Sequence, residues 1–242
     1  MPEWLEDLHA RFILNFIDDD RWRYMWNGLG VTLTLTFGAL VIGVILGLII
    51  AFIRTTHDKN IASMRLGPGK ILLRMGNAFC KLYLTVIRGT PIVVQLLIAF
   101  FIIFISSRNK IFVGVLTFGV NSGAYVAEIF RSGIMSIDNG QIEAGRSLGF
   151  GYLRTMRYIV TPQAFKNVLP TLCNEFIVLL KETSVAGYIA LEDLAKGADI
   201  IRGRTFDAFM PIIACALIYL VLVIFFTWLV GKLERRLRNS DH

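Results

Sequence analysis

Residues 143–162 read EAGRSLGFGYLRTMRYIVTP and form a polar segment between two long apolar stretches. Helix-forming residues alternate here with glycines, which predicts two short helices joined by a bend. Gly149 can take backbone angles that other residues avoid, so we expect it at the bend. Asp138 or Asn139 can cap the first short helix. Glu143 then lies in its early turns, where the helix dipole favours an acidic side chain.

The composition of the 242 residues places the chain in a lipid bilayer. Hydrophobic residues make up 55% of the chain and charged residues 18%, and its mean hydropathy of +0.61 is too high for an ordinary soluble domain. The net charge of +7 comes from basic residues between the apolar stretches, which fits membrane orientation better than nucleic-acid binding. The three cysteines and three histidines are scattered, so the sequence predicts neither a metal site nor a disulfide framework.

Five apolar stretches are long enough to cross the hydrocarbon layer as helices, which takes about 20 residues. The second and fourth are the least apolar, because charged side chains interrupt them. No signal-peptide cleavage pattern precedes the first stretch, so we expect it to be retained. The first stretch also contains Gly43 and Gly47, a GxxxG pair that lets another helix approach closely. The predicted organisation is an extracytoplasmic or interfacial segment at 1–27, a transmembrane domain at 28–231 with spans near 28–53, 82–105, 111–131, 167–189 and 208–231, a loop at 132–166, and a tail at 232–242.

The distribution of basic residues predicts the orientation, because Lys and Arg are retained on the cytoplasmic side of a membrane. With the N-terminus outside, the inner segments contain most of the 25 basic residues. The outer segments contain fewer, and they also carry acids such as Asp18, Asp19 and Asp20. Five spans with the N-terminus outside and the C-terminus in the cytoplasm is therefore the consistent arrangement. It places both the 132–166 loop and the 232–242 tail in the cytoplasm.

The segment before the first span carries large apolar side chains at helix-like intervals. Trp4, Leu8 and Phe12 are spaced four residues apart, and Trp22 and Trp26 come just before the bilayer. An amphipathic helix with aromatic residues beside it is typical of a membrane interface. We therefore expect an interfacial helix with an aromatic anchor on the outer side.

The spacing within the polar segment resembles the cytoplasmic EAA loop of the membrane subunits of bacterial ABC importers. In that pattern E-A-A is followed by three residues, Gly, nine residues, Ile, any residue and Leu-Pro. The matching residues are Glu143, Ala144, Gly149, Ile159 and Pro162. Gly145 stands where the family usually has Ala, and Thr161 where it usually has Leu. Both departures leave the acidic start, the Gly and the final Pro in place.

Three further segments resemble polar amino-acid permeases, the histidine and glutamine permease branch of that family. They are YLTVIRGTPIVVQ at 83–95, NSGAYVAEIFRSGIMS at 121–136 and NEFIVLLKETS at 174–184. Thr85 departs from the pattern, since family members commonly have Glu there. The resemblance extends from Asn27 to the ERRLR sequence at 234–238.

This resemblance implies an all-α, multi-pass permease subunit of a type I ABC importer in the bacterial inner membrane. Its substrate would be a polar amino acid: glutamine or glutamate, cystine, or a basic amino acid. The implied partners are two ATP-binding subunits, a second permease subunit that is a copy or a paralogue, and an extracytoplasmic amino-acid-binding protein. The residues expected to couple the permease to the ATPase are Glu143, Ala144, Gly145, Arg146, Leu148 and Gly149.

ATP and magnesium are expected on the partner ATPase and not on this chain. The sequence contains no G-x-x-x-x-G-K-[ST] loop, which is the segment that holds the phosphates in P-loop ATPases. We therefore expect the chain to bind no cofactor of its own and not to be an enzyme. No catalytic or metal-ligating residue is assigned.

Polar side chains at bilayer depth are costly and are functional candidates by default. A free amino acid carries an ammonium and a carboxylate, so a cavity that offers an acid, a cation and amide groups suits it chemically. We hypothesise that the substrate pathway or a transient site is lined by Gln95, Asn121, Ser122, Tyr125, Lys181 and Glu182. The alternative is that these residues form interhelical hydrogen bonds and dimer-interface pairs.

Two predicted ion pairs have a structural or gating role. Glu128 and Arg131 lie three residues apart on the third span and can face each other. Arg88 on the second span and Glu175 on the fourth lie at similar depth, and an unpaired charge there would be strongly destabilising. We therefore expect these two side chains to pair.

Two other classes of membrane protein remain as alternatives. A self-sufficient secondary carrier would need a coupling-ion site and usually more spans, and we find no inverted repeat in the sequence. A membrane enzyme would need a catalytic constellation. The scattered histidines and cysteines do not supply one.

Overall fold

The computed structural model describes residues 2–62 and 64–238, apart from the side chains of Asn139, Tyr152 and Arg238. This part of the chain is largely helical and has no strand, which confirms the predicted all-α fold. Its α-helices are α1 (Glu3–Phe12), α2 (Trp22–Asn60), α3 (Pro68–Arg88), α4 (Ile92–Ile98), α5 (Lys110–Met135), α6 (Asn139–Ser147), α7 (Tyr152–Thr155), α8 (Thr161–Glu182), α9 (Leu194–Thr205) and α10 (Phe209–Arg238).

Acidic side chains accept hydrogen bonds from backbone N–H groups at the starts of the last two helices. Asp193 accepts hydrogen bonds from the backbone N–H groups of Ala195 (3.2 Å) and Lys196 (3.1 Å) at the start of α9. Asp207 accepts one from the N–H of Phe209 (3.0 Å) at the start of α10. The first N–H groups of a helix have no partner within the helix, so these carboxylates stabilise both starts.

Three helices among residues 2–62 and 64–238 are long and apolar enough to cross a membrane: α2, α5 and the part of α10 up to Leu237. They correspond to the first, third and fifth predicted spans. The fourth, 167–189, corresponds to α8 and the 3-10 turn Thr183–Ile189 that follows it. α8 begins at Thr161 and carries several charged side chains, which lower its mean hydropathy.

The second predicted span, 82–105, is divided in the structure. α3 ends at Arg88 with a hydrogen bond from the N–H of Gly89 to the carbonyl of Thr85 (3.0 Å), and the helix resumes at Ile92. The two helical pieces are bent by 107° relative to each other. Pro91 explains the break, since it lacks an N–H group and disfavours a helical conformation at the residue before it. If the two pieces form one broken span, they are a fourth membrane crossing.

The helices form two compact units. The first contains the chain up to Ala39, Ile92–Phe118 and Ile177–Trp228; the second contains Leu40–Pro91, Gly119–Phe176 and the chain from Leu229. In the first unit, Met25 of α2 packs against buried side chains of α9. In the second, Ala51 of α2 packs with Val126 of α5 and Val168 of α8.

The GxxxG pair of α2 lies against α5 in the second unit. A Cβ atom on Gly47 would lie 2.5 Å from Val126 Cγ1, and one on Gly43 would lie 3.0 Å from Ser122 Oγ. A larger residue at position 47 would force its neighbours to move, and one at position 43 would make a tight contact. The two glycines therefore allow the close helix approach that the sequence predicted.

Candidate functional site

The polar loop begins with a capped helix and ends with a left-handed turn. Asp138 Oδ1 accepts a hydrogen bond from the N–H of Gly140 (2.7 Å), so Asp138 is the residue that caps α6. After α6 the N–H of Gly149 bonds to the carbonyl of Arg146 (2.9 Å), and Gly149 has a φ of +79°. The predicted cap and the predicted bend at Gly149 are both confirmed. Beyond the bend, α7 continues through a π-helical turn, Met156–Val160, directly into α8.

One face of α6 packs against the helical segment that follows the bend. Gly145 is buried there: a Cβ atom on it would lie 2.8 Å from Ile159 Cδ1 and 2.9 Å from Thr155 Cγ2. The core beneath this contact consists of Ile137, Val160 and Ala164 with Ile134, Ile142 and Met156 around them. The Gly at position 145, where the EAA pattern usually has Ala, therefore fits a particularly close contact between the two helices.

The other face of the loop is exposed. Glu143, Ala144, Arg146 and Gly149 are all accessible, and Leu148 is 74% exposed. The loop therefore combines a buried side that fixes the backbone with an open side that carries an acid, a base and an exposed apolar residue. Such a surface is suited to docking in a groove of a partner protein. Of the six predicted coupling residues, only Gly145 points inward.

An open cavity of about 460 Å³ lies elsewhere in the second unit, between α5, α8 and the end of α3. The charged and polar residues in its lining are Arg88, Tyr125, Glu128, Ser132, Ser136, Asn167, Thr171 and Glu175. The guanidinium of Arg88 lies 5.7 Å from the centre of the Tyr125 ring. Ser122 Oγ donates a hydrogen bond to Glu175 Oε1 (3.1 Å). Arg88 and Glu175 thus share one cavity, while their direct pairing stays a prediction.

A second open cavity, of about 640 Å³, shares Arg88, Tyr125 and Glu128 with the first. Its lining adds two more cations, Arg54 and Lys81. Each cavity presents at least one cation together with a carboxylate, which is the combination that suits an amino-acid zwitterion.

Glu128 is the centre of an ion-pair network. Its carboxylate lies 2.8 Å from Arg131 Nη2, as the sequence predicted, and 3.0 Å from Arg54 Nη1. Arg131 Nη1 also lies 3.4 Å from Asp58 Oδ2. Neither Arg54 nor Asp58 was predicted from the sequence as a member of this network. The spacing of four residues places Arg54 and Asp58 on one face of α2, which could have suggested that they act together. Only the packing of α2 on α5 brings them to Glu128 and Arg131.

The predicted pathway residues are divided between the two units. Asn121 and Ser122 are buried in α5 and Tyr125 is half-buried, all in the second unit. Gln95, Lys181 and Glu182 belong to the first unit. The expectation that these two groups line one pathway therefore stays a prediction. Among the described residues, no group of three His, Cys, Asp or Glu side chains is placed to hold a metal ion.

Comparisons with known proteins point in one direction. Residues 71–239 match the family model of binding-protein-dependent transport system inner membrane components. A putative glutamine transport system permease protein of Rickettsia typhi is 33% identical over 217 residues, which cover 88% of this chain and 93% of the relative. The arginine transport system permease protein ArtQ of Bacillus subtilis is 33% identical over 221 residues, 90% of this chain and 94% of ArtQ. The crystal structure of an amino acid ABC transporter with histidines has a TM-score of 0.77 and 41% identity, and the match covers 88% of this chain and 94% of that one.

Proposed function

Because the chain belongs to the family of binding-protein-dependent transport system inner membrane components, we propose that it provides the membrane pathway for a polar amino acid. The chain is an ABC importer permease with a type I importer fold. The relatives are named for glutamine and arginine, and the similar solved structure is an amino acid ABC transporter. No observation favours a self-sufficient carrier.

The observation that carries the proposal is the geometry of the loop at 138–149. A capped short helix with an exposed Leu148 ends in a glycine bend, and its buried side packs on the segment leading into α8. We propose that two ATP-binding subunits dock on the exposed side. Movement of the ATPase would then be passed through a rigid contact to a membrane-spanning helix, which biases the equilibrium between inward-open and outward-open states.

The proposed topology has five spans, with the N-terminus outside and the C-terminus in the cytoplasm of a bacterial inner membrane. α2, α5 and α10 support three of the spans, and the bent pair α3 and α4 supports a fourth. α8 is the one remaining proposed span. Its charged residues include Glu175, which accepts a hydrogen bond from Ser122. Pairing of this kind lowers the cost of placing a charge within the bilayer.

The proposed pathway includes the two cavities that share Arg88, Tyr125 and Glu128. Their cations suit the carboxylate of an amino acid, and Glu175 suits its ammonium group. The proposed pathway also keeps the residues predicted from the sequence, which are Gln95, Asn121, Ser122, Tyr125, Lys181 and Glu182. A second permease subunit, either a copy or a paralogue, and an extracytoplasmic binding protein would complete the transporter.

Reconstitution in proteoliposomes tests this function. The chain is inserted alone or with its ATP-binding partner and its extracytoplasmic binding protein, and uptake of radiolabelled glutamine, arginine or cystine is measured. We expect uptake only in the complete system with ATP supplied on the ATPase side. A non-hydrolysable ATP analogue is the matched control and should support no accumulation.

Two results would contradict the proposal. Uptake driven by an ion gradient through the chain alone would mean a secondary carrier. A complete, ATP-hydrolysing system that moves no amino acid would mean that the substrate class is wrong.

A further inference from the structure

An apolar groove of about 420 Å³ lies in the first unit, where the N-terminal segment meets the first two turns of α2 and the second and third turns of α10. Three elements line it with apolar or aromatic side chains, among them Phe12 and Phe16, Trp22 and Trp26, and Ala214 and Ile218. We propose that this groove holds one acyl chain of a phospholipid, and that the permease keeps this lipid as a bound ligand.

Specific backbone angles and hydrogen bonds determine the shape of the groove. Between α1 and α2, Asp19 and Asp20 both have left-handed backbone angles, with φ of 53° and 54°, which fold the N-terminal segment back along α2. Asp tolerates this conformation better than most residues. The Arg21 guanidinium then bonds to the carbonyl of Leu14 and to the carboxylate of Asp19, so it fastens both sides of the corner.

The far side of the N-terminal segment is fastened to the loop before α10. Asn15 is fully buried and donates a hydrogen bond to Asp207 Oδ2 (2.9 Å). It also accepts one from Thr205 Oγ1 (2.8 Å). These hydrogen bonds hold the N-terminal segment next to the start of α10. They therefore fix the position of one wall of the groove relative to the other.

The position of the groove selects a lipid over water or a soluble ligand. Ala214 and Ile218 lie in the second and third turns of α10, a helix apolar enough to span the membrane, so the groove extends along roughly 6 Å of that helix. On α10 the lipid-accessible surface continues below it through Leu217 and Val221, which are 54% and 65% exposed. Water in such a groove would find few hydrogen-bonding partners, whereas an acyl chain would remain in contact with the bilayer.

The mouth of the groove suits a phospholipid head group. Trp22 and Trp26 are 44% and 68% exposed there, and Trp residues favour the boundary between head groups and acyl chains. The guanidinium of Arg23 lies 5.7 Å from the Trp22 ring centre, and its side chain is 62% exposed. Although it lies 2.9 Å from Asp20, its remaining N–H groups can donate to a phosphate.

Native mass spectrometry tests the proposal. The full chain, co-expressed with its ATP-binding partner, is delipidated in mild detergent, and phosphatidylglycerol of defined chain length is added. We expect one tightly held lipid per permease chain. Ala214→Trp fills the groove and should lower lipid occupancy by about ten-fold or more, since several methylene groups lose their site. Val221→Trp places the same side chain on the open face of α10 and should leave occupancy unchanged.

A second pair of variants tests the head-group contact without altering the groove. Arg23→Gln should weaken lipid binding several-fold, whereas Arg11→Gln, which removes an exposed Arg paired with Asp7, should have no effect. This pair decides the question if Ala214→Trp fails to fold in size-exclusion chromatography. Equal lipid occupancy in Arg23→Gln and the unaltered chain would overturn the head-group contact, and no retained lipid in the unaltered chain would overturn the whole proposal.

A photoreactive benzoylphenylalanine at position 26 identifies the occupant directly. A phospholipid adduct supports the proposal. An adduct to a second permease copy or to the extracytoplasmic protein would overturn it, because the groove would then be a protein interface.

Discussion

Gly149 is the residue on which the shape of the 138–149 loop depends. Its φ of +79° is costly for any residue with a Cβ, and nothing lies within 4 Å of the position that a Cβ would take. The requirement for Gly therefore comes from the backbone and not from space. This is the physical reason for a glycine six residues after Glu143.

Gly149→Ala should weaken coupling while leaving the chain in the membrane. The left-handed conformation costs Ala about 1 kcal/mol, so the bend should shift and α6 should present Leu148 less accurately. We expect membrane insertion to be unchanged and the binding-protein-stimulated ATPase rate of the complex to fall several-fold.

Gly151→Ala is the matched control for this prediction. Gly151 also has open space around its Cβ position, but it has no left-handed φ. It should therefore keep the stimulated ATPase rate. Equal rates in the two variants would mean that the bend does not determine coupling.

At the scale of elements, α9 is held at its first turn by a buried carboxylate. Asp193 is fully buried, and the N–H of Leu194 donates to Thr32 Oγ1 of α2 (3.1 Å). A Cβ atom on Gly28 would lie 2.6 Å from the carbonyl oxygen of Asp193, so α2 and this turn are in direct backbone contact. Burial raises the pKa of Asp193 to about 6, although hydrogen bonds from backbone N–H groups oppose that increase.

This pKa predicts how stability depends on pH. An Asp whose pKa is higher in the folded state than in the unfolded state binds its proton more tightly when folded, so its contribution to stability is greatest below pH 4 and is lost as the pH rises through about 6. The difference is on the order of 2–3 kcal/mol. Asp193 should therefore raise the thermal unfolding midpoint (Tm) of the purified chain by several degrees when the pH is lowered from 7 to 5.

Asp193→Asn should remove that rise in Tm, because Asn caps a helix as well as Asp does but does not titrate in this range. Asp199→Asn is the control with the opposite sign: hydrogen bonds from Lys196 and Arg202 lower the pKa of Asp199, so its stabilisation is lost as the pH falls. A pH profile of Asp193→Asn identical to that of the unaltered chain would contradict the assignment.

At the scale of the whole molecule, the sequence predicted features that depend on neighbouring residues, but it did not predict the contacts between separate helices. The cap at Asp138 and the bend at Gly149 depend on neighbouring residues, and both were predictable. The partners of Glu128 illustrate the opposite case. Arg131 is one turn away on the same helix, but Arg54 comes from another helix, whose facing side depends on how α2 packs.

The path of the second span shows a similar limit. Pro91 favours a kink, since it removes a helical hydrogen bond, yet the size of the bend depends on where the following residues can pack. The observed 107° therefore could not be derived from Pro91 alone. The local structure of the 138–149 loop was predictable because its residues lie close together in sequence. The packing around the predicted pathway residues was not, because those residues come from helices in both units.

The proposed topology depends most on α8, because charged side chains make it the least apolar of the five spans. Residues 151 and 203 lie before and after α8, and both are glycines with open space around the Cβ position. With the free cysteines Cys80, Cys173 and Cys215 replaced by Ala, a new cysteine at either position should be tolerated. If α8 crosses the bilayer, a membrane-impermeant maleimide added to spheroplasts should label Gly203→Cys at once and Gly151→Cys only after permeabilisation. Labelling of both from the same side would mean that α8 does not cross, and that the spans number fewer than five.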